Sequence, residues 1–438
     1  MGDRADVVVI GAGPSGFVAS ERLRARGLDV VVLDAGPRLR KGATLAEVDR
    51  RAWAYRAEGG SFDWYRVRAV GGRGLLWGGW SYRFPPRVLG RAGFANACAL
   101  GTAYEEIEQA LGIVEGTVDE RYARAGRELE VRVVPKRAPL RRDGDVWRPF
   151  RARGSPPVRT HAIALRFEHR HGVANALAYF DAKTGKTRVI EARAFVLAAS
   201  PIESARILLE SELPDANIGR GFVDHLVASY LLIEPRPPSR GAGRFPGSAL
   251  VESFVNVDER SARDYRGGFS IELTGPVKLE TFGVERMVPD ADAWSATQIH
   301  ALGESHPDPA RWISIDRTRR DAFDRPIPVV HVGTSAEDQL LAADMKRACV
   351  AFADAIATPG SRLVAFLDPL QAGAGHEAGT CAMGSDEGSP CDRTGRVRAL
   401  ANVWVADASV MRTAGDRHPT LTILAHARCV ADAVTAAI

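Results

Sequence analysis

The stretch DVVVIGAGPSGFVASERLRARGLDVVVLDAG, residues 6–36, constrains the fold of this chain more than any other. Val7 to Ile10 are four apolar residues in a row, which suits a strand buried on both faces of a parallel sheet. Gly11, Gly13 and Gly16 follow as G-x-G-x-x-G. The first permits a tight turn, the second lets the backbone approach a pyrophosphate, and the third lets a helix pack on the strand, its N-terminus facing the phosphates. That helix ends at Gly27, and Leu28 to Leu33 resume a strand. Asp34, followed by Ala35, closes the strand where an acid can hydrogen-bond a ribose hydroxyl. The glycines are informative because strand, helix and acid surround them in order. A bound dinucleotide is expected, held by Gly11, Gly13, Pro14, Ser15, Gly16, Asp34 and Ala35; the motif does not separate FAD from NAD.

A chain of 438 residues exceeds what one core usually serves, so two interleaved domains, or one α/β unit with an inserted lobe, are expected. It is 45% hydrophobic and 26% charged, which suits a folded enzyme and argues against disorder. Acidic residues (54) nearly balance basic ones (58), so nucleic acid is not expected as a partner, and the excess of Arg over Lys reads as background composition. One locally basic stretch, KRAPLRRDGDVWRPFRARGSPPVR, reads as a solvated loop leading into a strand. Five scattered cysteines without C-x-x-C spacing argue against a disulfide framework and a zinc site, so no metal is expected. Cys349 shares the apolar face of DQLLAADMKRACVAFADAIA with Leu341, Met345, Phe352 and Ile356, which is core packing. No stretch reaches membrane-spanning length and no charged leader precedes an apolar run, so a reduced, cytoplasmic protein without a membrane partner is expected.

Further along, RAVGGRGLLWGGWSYRFPP sets glycines among aromatics, a loop where backbone must approach something closely. HGVANALAYFDAKTGKTRVIEARAFVLAASPIESARILLESE predicts a hairpin turning at Thr184-Gly185, then a separate buried strand from Phe195 to Ala199, then a helix from Ser200-Pro201. Residues 226–370 read as mixed strand and loop. ALVESFVNVDERSARDYRGGFSIELTG predicts two long strands and ARWISIDRTRRDAFDRPIPVVHV two more. Trp80, Phe245, Trp294 and Trp312 are candidate pocket aromatics, with packing inside the lobe an equal alternative.

Five segments, in order, carry a family resemblance: GAGPSG, GGRGLLWGG, FVLAASPIESARILL with GRGFVDH, GHEAGTCAMG, and NVWVADASVMRTAGDRHPTLT. Together they resemble the glucose–methanol–choline (GMC) oxidoreductases over nearly the full chain. HPTLT, with the GGRGLLW loop, looks most like the pyranose-oxidase branch, which acts on sugars. The resemblance implies FAD as the dinucleotide. It also implies an α/β fold, α+β overall. A Rossmann-type FAD-binding domain with a parallel sheet would comprise residues 1–100, 155–225 and 371–438, interleaved with a substrate domain on a mostly antiparallel sheet, residues 101–154 and 226–370. By the same resemblance Gly72, Gly78 and Gly79 line approaches to the flavin, and the backbone of Ala164 meets the adenine. Asp407 and Ala408 reach the ribityl and pyrophosphate side, and Pro419-Thr420 the pyrimidine edge. Members that attach FAD covalently often carry a histidine where this chain has Leu76, so non-covalent FAD is expected. The ribose acid is more often Glu in the family, and Asp34 shortens the reach. The chain is also short in its substrate region, which implies a wider or differently covered pocket.

Hydride removal from an alcohol requires the hydroxyl proton to leave as well. A group titrating near neutrality is the suitable base, and a second donor can stabilise the developing alkoxide. The resemblance brings His376 and His418 to the flavin's reactive face, His376 as base and His418 as alkoxide partner, or with the roles exchanged. His225, at the end of GRGFVDH, is expected to be structural, and His426 to pack within the last helix. His161, His169 and His171 lie on or beside the hairpin, and His300, His306 and His331 fall in the middle lobe; none of these is expected to act. The implied function is FAD-dependent oxidation of CH–OH on a polar sugar, aminosugar or nucleoside-type molecule in bacterial biosynthesis, with O2 or another compound as electron acceptor. A hydroxynitrile-lyase-like flavoprotein is the alternative within the same fold. A photodecarboxylase needs a long apolar tunnel that the Arg-rich lobe does not suggest, an aromatic monooxygenase leaves HEAGTC and HPTLT unexplained, and a binding role explains neither histidine.

Overall fold

In the computed structural model, which describes residues 3–39, 54–94, 97–139, 157–238, 245, 247–255, 263–368, 370 and 375–438 (97–99 and 253–255 by backbone alone), the apolar run before the glycine turn lies at the centre of a sheet. The N-terminal elements are β1 (Asp3–Ile10), α1 (Pro14–Ala25), β2 (Val30–Leu33), β3 (Arg56–Glu58), α2 (Pro86–Arg91), α3 (Ala97–Leu111), β4 (Ile113–Glu115), α4 (Glu120–Glu128), β5 (Val133–Pro135) and β6 (Arg137–Pro139). There follow β7 (Val158–Arg159), β8 (Ala162–Arg170), β9 (Val173–Asp181), β10 (Lys186–Leu197), α5 (Pro201–Glu210), β11 (Leu226–Glu234), β12 (Ser248–Val255), β13 (Gly268–Val277) and β14 (Ser295–Gly303). The chain closes with β15 (Trp312–Arg320), β16 (Pro326–His331), α6 (Ala336–Ile356), β17 (Arg362–Leu367), β18 (Val403–Val405) and α7 (Thr420–Ala437). Residues 140–156, most of the locally basic stretch, lie outside the described residues. No helix among the described residues is long and apolar enough to cross a membrane.

The first sheet runs β7-β2-β1-β10-β9-β8, with β18 also on β10. β1 is parallel to both β2 and β10, as a buried apolar strand requires. Val7 and Val9 face α1 and α7, packing with Phe17, Leu23, Val430 and Val434; Val8 and Ile10 face the opposite layer, which includes Ile202 and Ile207 of α5. Arg22 of α1 meets Asp432 of α7 at 2.8 Å. The predicted hairpin strand and the predicted separate strand from Phe195 are one element. β10 pairs antiparallel with β9 from Lys186 to Glu191, then parallel with β18 from Phe195 to Leu197, while β1 runs along its other edge. The physical reason is a change of partner in mid-strand, which needs no turn residue.

The second sheet, β17-β11-β14-β13-β12-β5, is antiparallel throughout. Its outer face is covered by α6, whose Leu341, Met345, Cys349, Phe352 and Ile356 share a core with Ile271, Leu273, Ile299 and Ala301. A capping box at Ser335 and Asp338 starts α6. α3 packs against α7, where the Tyr104 hydroxyl lies 2.6 Å from Thr422 Oγ1, whereas β5 joins the antiparallel sheet. A third, three-stranded sheet, β15-β16-β3, stands beside the two.

Phe352 has no exposed surface, whereas Val350 on the other face of α6 is 38% exposed. Phe352→Ala is expected to cost about 3–5 kcal/mol in denaturant unfolding. Val350→Ala should stay within about 0.5 kcal/mol of the parent. Equal losses would mean that α6 is not packed through this face.

Candidate active site

A cavity of about 620 Å³ opens between the two large sheets and is walled by residues of both. Its first end is shaped by the glycine turn. Gly11 has φ +105, and a Cβ there would stand 2.3 Å from the Ala198 carbonyl oxygen; a Cβ on Gly16 would stand 1.9 Å from the Gly11 carbonyl oxygen. Both glycines are needed for close packing of turn, strand and helix. Gly13 differs: a Cβ there meets nothing within 4 Å, and the residue lies on the cavity wall beside Pro14 and Ser15. Gly72 approaches from the second glycine loop, its own Cβ position 3.3 Å from Gly13 Cα. The result is a cradle of bare main chain that a pyrophosphate fits.

Asp34 lines the same end and is buried. Its Oδ2 accepts the Ala12 N–H at 2.9 Å and its Oδ1 the Gly36 N–H at 2.8 Å. Burial pushes its carboxyl above the usual range against the pull of those two amides. Ala35 and Ala164 complete this part of the wall, and Gly78 and Leu76 lie on it further along. Gly16 and Gly79 are off the wall; Gly79, at φ +77, accepts the Ser81 hydroxyl at 2.8 Å and shapes its loop. Asp407 faces the cavity, but its carboxylate is occupied. Oδ2 accepts the Ser200 N–H at 3.0 Å and the Ser204 hydroxyl at 2.6 Å, and Oδ1 accepts the Ser409 N–H at 2.9 Å. It fixes the start of α5 and leaves its main chain and Ala408 toward the cavity.

The sequence reading missed a charged group on this wall. Glu203 of α5 meets Arg66 at 2.7 Å, Arg206 at 3.1 Å and Arg325 at 3.0 Å. Burial raises the Glu203 carboxyl, and the three arginines outweigh it and hold it well below the usual range. Arg325 and Asp321 belong to the β15–β16 turn, whose far position in the sequence hid the cluster; the only local signal was the i, i+3 spacing of Glu203 and Arg206.

At the other end, the segments carrying the predicted histidines meet. The Asp224 carboxylate accepts the N–H of His225 at 2.7 Å, of His376 at 3.0 Å and of Gly375 at 3.2 Å. Burial, with the nearby Glu377 charge, lifts Asp224 to about 7. Arg73 of the glycine loop reaches the Gly375 carbonyl and the Glu377 carboxylate. The His376 and His418 rings stand edge to face, 4.5 Å between centroids, and both line the cavity with Pro419 and Thr420.

His225, expected to be structural, is part of this cluster. Its Nε2 lies 2.8 Å from the Gly415 carbonyl oxygen, and its Nδ1 lies 2.9 Å from His376 Nδ1. A carbonyl can only accept, so His225 carries its proton on Nε2, and a neutral His225 then accepts at Nδ1. His376 must therefore donate from Nδ1, which leaves its Nε2 with a free lone pair. Burial lowers His225 to about 4, and burial with the His418 and His225 rings lowers His376 well below its ordinary value, so both are neutral. His418 is anchored differently: Nε2 lies 2.9 and 3.1 Å from the two Glu272 carboxylate oxygens, while its buried Nδ1 has no hydrogen-bond partner among the described residues.

His300, also unexpected, stands on the cavity wall. The candidate aromatics Trp80, Phe245, Trp294 and Trp312 are all off the wall; Trp80 lies parallel to His418 at 6.3 Å, Trp312 stacks on His331 at 3.8 Å and Trp294 lies beside Arg362. Trp77 lines the cavity instead. His426 packs as expected, with Nε2 3.0 Å from the Val405 carbonyl oxygen. Among the described residues no cluster of His, Cys, Asp or Glu could hold a metal ion.

Residues 145–227 and 312–427 each match a family model described as GMC oxidoreductase, and residues 9–60 match one described as an NAD(P)-binding Rossmann-like domain. The 6'''-hydroxyparomomycin C oxidase of Streptomyces lividus is 27% identical, the alignment covering 96% of this chain and 90% of that protein. Paromamine 6'-oxidase of Streptomyces fradiae is also 27% identical, covering 98% and 91%. Among solved structures, pyridoxine 4-oxidase from Mesorbium loti shares the fold at a TM-score of 0.73, with 20% identity and 98% of each chain covered.

The two glycine types separate experimentally. Gly13 sits at φ −76, open to any residue. Gly13→Ala should keep the melting temperature of the apoprotein but weaken FAD binding tenfold or more, measured by flavin fluorescence; Gly11→Ala should lower the melting temperature itself. The histidine chain is tested with 15N-labelled histidine. Above the pH near 4 at which His225 titrates, His376 should carry its proton on Nδ1. His225→Leu should abolish that preference and His225→Gln, which can both accept and donate, should restore it. An unchanged spectrum in His225→Leu would refute the arrangement.

Proposed function

The chain belongs to the GMC oxidoreductase family, FAD-dependent enzymes of CH–OH donors, and from that premise we propose that it oxidises a polar, sugar-like alcohol to the aldehyde or ketone. An aminosugar or nucleoside-type substrate of bacterial biosynthesis is the class favoured. The observation that carries this reading is the neutral His376, its Nε2 lone pair free, on the cavity wall beside His418. Two relatives named as oxidases of hydroxyparomomycin and paromamine support the sugar-like class, and support O2 as the electron acceptor. The free thiols of Cys349, Cys381, Cys391 and Cys429 support a cytoplasmic setting.

FAD is held without a covalent bond by Gly11, Gly13, Pro14, Ser15, Asp34, Ala35, Gly72, Gly78, Ala164, Asp407, Ala408, Pro419 and Thr420, with Gly16 and Gly79 shaping their turns. Residues 1–100, 155–225 and 371–438 are assigned to its domain and 101–154 and 226–370 to the substrate domain, although α3 within 101–154 packs on α7 and β15–β16 within 226–370 join β3 on the FAD side. When bound, it supplies the acceptor for the carbinol hydride. His376 Nε2 takes the hydroxyl proton, its Nδ1–H staying on His225, so the ring orientation is set before substrate arrives. His418 stands beside it as the partner of the developing alkoxide, its ring fixed by the contact of Nε2 with the Glu272 carboxylate.

The test is anaerobic bleaching of the flavin band by sugars, aminosugars, nucleosides and simple alcohols. At least one should reduce the wild type, and His376→Ala should slow that step by about 10²–10⁴-fold. Bound flavin that stays oxidised with every alcohol would point to hydroxynitrile-lyase-like chemistry instead. The active form of His376 is the neutral one, and its titration lies well below the ordinary 6.5. In the 15N spectrum the His376 ring should therefore stay neutral as pH falls through 6.5 and gain a proton only at more acid pH; a ring protonation centred on 6.5 would overturn the neutral base.

A further inference from the structure

The antiparallel sheet has two unlike faces, and the second has a use beyond supporting the first. Residues of β11, β13 and β14 that point to α6 are apolar: Ala228, Leu232, Ile271, Leu273, Ile299 and Ala301. The alternate residues point the other way and mix apolar with polar: Val227, Leu231 and Leu302 share that face with Ser229, Glu272, Thr274, Gln298 and His300. In cross-strand register, Glu272 stands opposite His300, and His300 opposite Ser229; one step along, Thr274 stands opposite Gln298. Side chains on one face of paired strands lie about 5 Å apart, so these residues make a continuous polar strip. Glu272 holds His418, and Gln298 donates to Ser229 Oγ at 3.2 Å.

On this strip the imidazole of His300 is left with an unused nitrogen among the described residues. Its Nδ1 is buried and unsatisfied, and the residue lines the same cavity as His376 and His418. His418 Nδ1 is likewise buried and unsatisfied. Buried polar groups normally have partners, so two orphaned imidazole nitrogens on one wall mark positions that a ligand completes. Burial also keeps His300 neutral. A neutral imidazole offers one N–H and one lone pair, so it can donate to a hydroxyl oxygen or accept from a hydroxyl or an ammonium. The neighbouring Glu272 carboxylate makes the accepting mode toward an amine favourable as well.

We propose that His300 is a specificity-determining substrate contact, binding a hydroxyl or amino group that neighbours the carbinol being oxidised. This rests on the reading that the histidine end of the cavity oxidises an alcohol. The substrate class it selects is a ring or chain bearing a second hydroxyl or an amine beside the reacting alcohol, over a monohydric alcohol of the same size. His376 and His418 engage the reacting hydroxyl, and His300 engages its neighbour, so two points of attachment fix which carbinol is presented.

The experiment follows anaerobic flavin reduction in the holoenzyme by paromamine, glucosamine and the monohydric cyclohexylmethanol, in wild type, His300→Phe and His300→Gln. Flavin content and melting temperature establish folding, and His300→Asn takes the place of the Phe variant should that variant not fold. In His300→Phe the apparent Kd for the amino sugars should rise roughly 5- to 100-fold, the loss of a buried hydrogen bond. The limiting reduction rate should hold within about threefold and cyclohexylmethanol should be unaffected, because the base and its partner are untouched. His300→Gln should recover most of the affinity. An equal change for all three alcohols, or none, overturns the proposal. If no alcohol reduces the wild type, the oxidation reading fails on its own, and calorimetry then decides for His300: paromamine bound by the wild type and more weakly by His300→Phe upholds the contact, and equal or no binding overturns it.

Discussion

The buried carboxylate of Asp224 is the interaction on which the reactive end of this protein depends. It accepts three main-chain N–H groups, at 2.7, 3.0 and 3.2 Å, from two segments distant in sequence. An amide left without an acceptor in such a place costs about 1–3 kcal/mol, so the two segments are bound together by necessity. Once they are joined, His225 and His376 face each other, and the fixed protonation of one ring dictates that of the next. The Gly415 carbonyl, at the far end of this chain of bonds, thereby determines which nitrogen of His376 is free.

The two ends of the cavity use opposite strategies. At the nucleotide end a full charge, Glu203, is buried among Arg66, Arg206 and Arg325, with Glu210 and Asp321 as further partners. Such a network offsets its desolvation cost only with good geometry, and it fastens the β15–β16 turn to α5. At the histidine end the rings themselves are kept uncharged: burial holds His225, His300 and His376 neutral, with the charges of Glu272 and the Arg73–Glu377 pair set beside them. Neutral imidazoles suit proton transfer, whereas fixed charges suit the holding of a constant, anionic partner.

The legible parts of the sequence were those whose requirement is local. Gly11, Gly16 and Asp34 answer to backbone geometry within one turn, and the apolar run before them answers to burial on both faces. His376 and His418 were identified through motifs that resemble a family, not through any property of the residues themselves. For His225, expected to be structural, the partner that gives the role its meaning, His376, lies across the fold and is not visible in the local sequence. His300 was passed over because strand register, set by pairing with Ser229 and Glu272, decides that it faces the cavity. The arginine cluster read as background composition for the same reason. The boundary within β10 was invisible because a strand can change neighbours without changing its residues.

The position of Asp224 carries a consequence for the lobe beyond it. His225 stands immediately before β11 and Gly375 shortly after β17, so Asp224 joins the entry to this lobe with its exit. Asp224 therefore cinches the neck of an insertion, bringing entry and exit together whatever lies between. Loop-closure entropy grows only slowly with length, so connections within the antiparallel sheet can be lengthened or shortened at small cost once the neck is tied, while β15 and β16 stay bound to β3 and α5. Because His376 sits on the knot and not within the insertion, a change in the antiparallel lobe would alter the facing wall of the cavity and leave the proposed proton acceptor where it stands. The architecture thus separates inheritance of the reaction from inheritance of the substrate.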